Sequence, residues 1–331
     1  MRVGVIGAGA VGGSLAALLA RGGHDVEVTA RGAHLEAIRA AGIRLTGAWG
    51  DYTAVVEANS VLTRAPELVI VATKAQDSVA AIRENIALLR GVPVLVVQNG
   101  LDAIDAATAA SPRSDVVGGL AAYATSYLSP GVVTVTTAGN LYVGVAGEDD
   151  VPARYVASVL NPVIPTTVVQ NFVGAQWTKL IINQVNALPA ITGLSVQEVV
   201  ADARLRRIMT ASMREAVRTG LRRKVRFVSL QGLGHRSLRL FAALPLAIGG
   251  ALPSLMSARI GKVPNPGSTL QSIRRGQATE IDYLNGAVVR EAELVGSTAP
   301  VNALLVTLVH DVEDSGDFLT ADHVWSRFRA L

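Results

Sequence analysis

The chain has no cysteine among its 331 residues. Disulfides, thiolate nucleophiles and cysteine-ligated zinc are thereby excluded, and a cytoplasmic setting suits such a composition. The histidines at 24, 34, 235, 310 and 323 show no metal-ligand spacing, and no G-x-S-x-G elbow occurs. Metal and serine-hydrolase chemistry are therefore not expected. The opening "MRVGVIGAG" enters an apolar strand at once, without the basic and long apolar regions of a secretory signal. Residues 240–256 are almost wholly apolar but are interrupted by Pro245, Gly249, Gly250 and Pro253. Integral membrane association is not expected of so short and broken a segment; a buried hairpin or a subunit interface is, which admits a homodimer. Its arginine-rich approach keeps a role at a membrane surface as the other reading.

Acidic residues are scarce in one place. Residues 204–239 hold ten arginines and Lys224 against the single carboxylate of Glu215, although the formal net charge is only +4. Phe227 is the only aromatic residue there, so the basic segment lacks the stacking residues of a nucleic-acid surface, and no nucleic-acid partner is expected.

Half of the residues are hydrophobic, enough for two domains with substantial cores. "RVGVIGAGAVGGSLAALLARGGHDVEVTAR" reads as strand, glycine turn, helix and strand. "LVIVATKAQDSVAAIRENIALL" and "VPVLVVQNGLDAIDAATAA" repeat the strand-helix pattern with unbroken apolar strands, as in a parallel sheet covered on both faces. The expected fold is α/β: a Rossmann-type, doubly wound, mostly parallel sheet over residues 1–171, then an all-helical domain over 172–331. From residue 115 onward, "DVVGGLAAYATSYL" and "GVVTVTTAGNLYVGV" flank an "SPG" turn and read as later strands joined by a hairpin.

Gly7, Ala8, Gly9, Ala10, Val11 and Gly12 form a G-x-G-x-x-G loop between strand and helix. Such a loop binds the pyrophosphate of a dinucleotide: Gly7 permits the turn, Gly9 lets the phosphates approach the backbone, and Gly12 lets helix and strand pack closely. The second strand ends without a carboxylate near residue 30, and Arg31 stands just beyond it. An arginine there favours a 2′-phosphate, so NADPH is expected over NADH, with a solvated loop arginine as the plain alternative.

"WTKLIINQVNALPA", residues 177–190, reads as one apolar helix that carries three polar side chains. On a regular helix Lys179, Asn183 and Asn186 fall at roughly 0°, 40° and −20°, a single narrow stripe. The stripe is aimed at a ligand, or it reflects a snorkelling lysine and asparagines that cap buried backbone.

With "VGVIGAGAVGG", "VATKAQD", "VVQNGLD", "SPGVVTV", "WTKLIINQVNALPAITG" and "GSTLQSIRRGQATEIDYLNGAVV", the chain resembles the ketopantoate reductase family nearly end to end. The resemblance implies NADPH-dependent reduction of a small 2-oxo acid, ketopantoate to pantoate, in a cleft between the two domains. It implies Lys179 as general acid, Glu280 as its acidic partner, Asn99 and Asn183 as cleft residues, Ser268 as a contact to the substrate carboxylate and Lys74 as a cleft lysine near the cofactor. An ammonium placed at a carbonyl oxygen stabilises the charge that hydride transfer creates and supplies the proton. Glu280 and Asp282 beginning a helix, and Ser268 capping one, are the structural alternatives.

The chain also departs from the family. The second asparagine expected eight residues after the lysine is Ala187, with Asn186 one place before it, and an aspartate common after "LQ" is Ser272. A different ketone or an imine from specialised metabolism is therefore an alternative substrate, and a non-catalytic NADP(H) sensor is the reading from another class. Residues 221–262 carry no motif that assigns them a role.

Overall fold

The computed structural model describes residues 1–260 and 264–331. It divides into two compact units, Met1–Phe172 and Val173–Leu331. Residues 261–263, which fall inside the expected helical domain, lie outside the described residues.

In the first unit the strands are β1 (Arg2–Ile6), β2 (Asp25–Thr29), β3 (Ile43–Gly47), β4 (Tyr52–Ala54), β5 (Glu57–Asn59), β6 (Leu68–Val71), β7 (Val94–Val97), β8 (Val116–Ala121), β9 (Ala124–Ser129), β10 (Val132–Thr137), β11 (Leu141–Gly144) and β12 (Thr166–Val168). Eight of them form one sheet in the order β12-β11-β8-β7-β6-β1-β2-β5. Every pairing in it is parallel except β8 with β11. β6 and β7 are buried at all four positions, as their unbroken apolar runs require of strands covered on both faces.

The later strands are divided between two sheets. Residues 116–129 do not form one run: Ala122 and Tyr123 separate β8 from β9, and β9 joins a second sheet of order β4-β3-β10-β9. The "SPG" turn does make a hairpin, with β9 and β10 antiparallel and Gly131 at φ 78°, but this hairpin belongs to the smaller sheet.

Among the described residues after β12 only helices and turns appear, with one isolated bridge between Leu230 and Leu233. The long helix Ala203–Arg222 packs against the helices His235–Ala243, Asn285–Glu293, Pro300–Ser315 and Ala321–Arg329. Its start is fixed by Asp202, whose carboxylate accepts from the amides of Arg204 and Leu205. Glu215, midway along it, accepts from the amides of Val301 and Asn302 at 3.0 and 2.9 Å. It thereby caps the helix Pro300–Ser315, whose own N-cap residue, Ala299, has no side-chain acceptor.

The apolar segment 240–256 is not a buried hairpin. It lies in the helices His235–Ala243, Leu246–Gly249 and Ala251–Ile260, and Leu240, Ile248 and Leu255 are exposed. Pro245 and the Gly249-Gly250 pair break the run into short pieces because one lacks an amide donor and the others are costly inside a helix. Among the described residues, no helix is long and apolar enough to cross a membrane.

Candidate functional site

In the first unit the candidate residues gather at the C-terminal ends of β1, β6 and β7, where open parallel sheets bind ligands. Gly7 turns at φ 94°, and a Cβ there would meet Thr73 Cγ2 at 2.7 Å. A Cβ on Gly12 would collide with the Gly7 carbonyl, whereas one on Gly9 would meet nothing within 4 Å. The loop is therefore tight where helix and strand touch and open where a ligand would approach. Its backbone is pinned to β2: the Gly7 amide donates to Thr29 Oγ1 and the Ala8 amide to the Thr29 carbonyl, both at 2.9 Å. Ala10 and Val11 open the helix Ala10–Arg21.

Lys74 precedes the helix Ala75–Asn85 at the end of β6, and Asn99 follows β7 by two residues; both are half-buried. Gln98 joins the two loops, its Nε2 donating to the Thr73 carbonyl at 3.1 Å. Arg31, exposed at the start of the helix Gly32–Ala41, pairs with Glu84 at 3.1 Å. Glu84 was not legible as a site residue, because it lies 53 positions away in sequence and matches no motif.

In the second unit the segment that carries Lys179 is not one continuous helix. The helix Phe172–Asn183 passes into a 3₁₀ turn, Gln184–Asn186, and then into the helix Ala187–Thr192. Pro189 explains the break, since in an uninterrupted helix its ring would clash with the carbonyl four residues earlier; at the third position of a new helix it is tolerated. The tighter winding ends the stripe after Asn183. Lys179 and Asn183 remain one turn apart, while Asn186 sits against Gly267, where an added Cβ would lie 2.6 Å from Asn186 Oδ1. Asn186 thus meets the helix Gly267–Arg274, which carries Ser268 in its first turn.

Ser268 is exposed and is not the cap, a position taken by Pro266. Ser272 turns inward and donates to the Ser268 carbonyl at 3.4 Å. Ala187 is fully buried. Gln184 and Ser212 hold the 3₁₀ turn from behind: Gln184 Nε2 donates to the Leu180 carbonyl, and Ser212 Oγ to Gln184 Oε1 at 3.0 Å.

Lys179 is half-buried, and desolvation of its ammonium brings its pKa down to about 8. Burial, which disfavours the charged form, is the cause of that shift. Glu280 lies just before the 3₁₀ turn Ile281–Tyr283, and its carbonyl accepts from the amides of Tyr283 and Leu284. The loop before it is held by Glu313, which accepts from the Thr279 amide at 2.6 Å. Asp282 has a structural role: it pairs with His310 at 3.2 Å, and His310 in turn with Glu313 at 2.7 Å. Among the described residues no cluster of potential ligands could hold a metal ion.

Residues 3–148 match the family described as ketopantoate reductase PanE/ApbA, and residues 171–313 match its C-terminal domain. A 2-dehydropantoate 2-reductase of Pyrococcus abyssi is 30% identical over 318 residues, covering 95% of this chain and 98% of the relative. The crystal structure of a PanE/ApbA family ketopantoate reductase from Ralstonia eutropha superposes with a TM-score of 0.80 at 28% identity, covering 95% of this chain and 99% of that one. A D-mandelate dehydrogenase with NADH and anilino(oxo)acetate shares the fold, with a TM-score of 0.82 at 20% identity and coverage of 95% and 99%. The chain belongs to the ketopantoate reductase family, oxidoreductases acting on a CH–OH or C=O group.

Proposed function

We propose that the protein is an NADPH-dependent reductase of a 2-oxo acid, with ketopantoate as the first candidate, and that Lys179 is its general acid. The observation that carries this reading is the Lys179 ammonium itself, charged at neutral pH yet lowered by burial to a pKa of about 8. A group so tuned gives up a proton near neutrality far more readily than an ordinary lysine.

The nucleotide's part is hydride. The residues of this chain fit such a ligand: open space at Gly9 for the pyrophosphate, and an exposed Arg31 for a 2′-phosphate. Lys74 and Asn99 stand at the strand ends beside that loop and belong to the same reading. As hydride reaches the carbonyl carbon, Lys179 Nζ donates its proton to the oxygen, and the neutral amine regains a proton from solvent. Asn183 orients the same oxygen or the adjacent carboxylate, Ser268 and Asn186 hold the substrate's far end, and Glu280 orients Lys179 in its charged form.

A second reading keeps the chemistry and changes the substrate to another ketone or an imine. The fully buried Ala187 and the inward Ser272 favour it, since neither presents the polar group that the family pattern expects. The fold neighbour with anilino(oxo)acetate makes aromatic 2-oxo acids the natural comparison. The deciding experiment follows NADPH oxidation with ketopantoate, aliphatic and aromatic 2-oxo acids and cyclic imines. Turnover of ketopantoate well above the rest supports the first reading; turnover of another class supports the second; none with any compound sinks both and leaves a nucleotide-binding sensor.

A further inference from the structure

His34 has no place in the chemistry above, yet its side chain bonds to the backbone of the glycine loop. It lies on the helix Gly32–Ala41, three residues after Arg31, with its ring edge-on to Tyr127 at 4.6 Å between centroids. The Gly131 amide, in the "SPG" turn between β9 and β10, donates to His34 Nδ1 at 3.0 Å. A backbone amide can only donate, so Nδ1 carries no proton and the ring hydrogen is on Nε2. His34 Nε2 therefore donates to the Ala8 carbonyl, 2.7 Å away. Burial lowers the imidazole pKa and keeps this neutral form.

The consequence lies on the other side of a peptide plane. The Ala8–Gly9 peptide is planar and trans, so holding the Ala8 oxygen toward His34 aims the Gly9 amide the opposite way. That amide has no hydrogen-bond acceptor among the described residues, and a Cβ on Gly9 would meet nothing within 4 Å. An exposed amide so placed can donate to an anionic oxygen.

We propose that His34, with its tautomer set by the Gly131 turn, is a positioning residue that orients the Gly9 amide toward the pyrophosphate of the bound nucleotide. This gives the smaller sheet a function: its hairpin turn and the helix that begins at Arg31 are both tied to the phosphate loop through one imidazole. The inference rests on the nucleotide reading above and extends it to residues that touch no ligand.

The test is direct NADPH titration by fluorescence, beside steady-state kinetics, of wild-type, His34→Leu and His34→Gln proteins. The leucine variant is expected to bind NADPH on the order of tenfold more weakly, with kcat at saturating nucleotide and the KM for the carbonyl substrate within about twofold of wild type. The glutamine variant, which keeps an N–H donor, is expected to recover part of that affinity. Nitrogen-15 NMR of the wild-type imidazole should show the Nε2–H tautomer. A folded leucine variant that binds NADPH like wild type, or an Nδ1–H tautomer, would overturn the inference while leaving the function intact. If His34→Leu does not fold, the tautomer decides alone: an Nδ1–H form in the wild-type protein overturns the inference. Wild-type protein that binds no nicotinamide nucleotide would overturn this inference and the nucleotide reading together.

Discussion

One nitrogen of the Arg31 guanidinium lies 3.3 and 3.1 Å from the two carboxylate oxygens of Glu84, at the surface. An exposed pair of this kind contributes little to stability, and a doubly charged phosphate would compete well for the arginine.

Arg31→Ala is therefore expected to weaken NADPH by on the order of tenfold or more and NADH by less than about threefold, with no change in melting temperature. Glu84→Gln should act in the opposite sense and tighten NADPH. Nucleotide titrations of both variants decide the matter; equal weakening of NADPH and NADH by Arg31→Ala removes the 2′-phosphate role.

Lys179, the proposed general acid, makes two predictions, because the burial that lowers its pKa also costs stability. As general acid it must be protonated, so the rate of reduction should be level below a pH of about 8 and fall as pH rises through that value. Lys179→Met should lower kcat by about a hundredfold or more while NADPH binding persists. A pH-independent rate between 7 and about 9.5 would argue for another proton donor.

The stability side has the opposite sign. The folded-state pKa of Lys179, about 8, lies below its ordinary 10.5, so the unfolded chain binds the extra proton between those values. The cost is fully present below about pH 8 and is relieved as pH rises toward 10.5. Replacing the ammonium by an apolar side chain of similar length should thus raise stability at pH 7, by about 3 kcal/mol at most. Urea unfolding of Lys179→Met at pH 7 measures it; a less stable variant would show that the ammonium is compensated.

Asn186 is displaced from the lysine's stripe by the 3₁₀ turn but stands against the helix of Ser268. Asn186→Ala is expected to raise the KM for the carbonyl substrate severalfold with the nucleotide KM unchanged. A pure loss of melting temperature with unaltered kinetics would assign the residue to packing instead.

Glu215 supplies from a neighbouring helix the cap that Ala299 cannot. Glu215→Ala should cost about 2–3 kcal/mol, since it leaves the Val301 and Asn302 amides and the Asn302 side chain without their acceptor. Chemical denaturation reads this directly, and a cost below about 0.5 kcal/mol would mean that water replaces the carboxylate.

Local chemistry was enough to read several features from the chain alone. Unbroken apolar runs at β6 and β7 can only be strands buried on two faces, and the glycines at 7 and 12 answer steric demands of the turn that no other residue meets. The stripe of Lys179 and Asn183 also follows from helical period, because both residues lie within one regular helix.

What sequence spacing could not foresee depends on contacts between distant segments. β9 and β10 leave the main sheet because β3, some ninety residues earlier, offers β10 a parallel edge. The ties of Arg31 to Glu84 and of His34 to both Ala8 and Gly131 span 53, 26 and 97 positions, and no local period encodes them. The position of Asn186 is decided in the same way. Pro189 interrupts the helix by its missing amide, a local effect, but where the asparagine then points is set by Gly267, whose lack of a Cβ lets it approach. Residue types and periods determined the glycine loop and the position of the lysine; only packing between remote segments decided which side chains hold them in place.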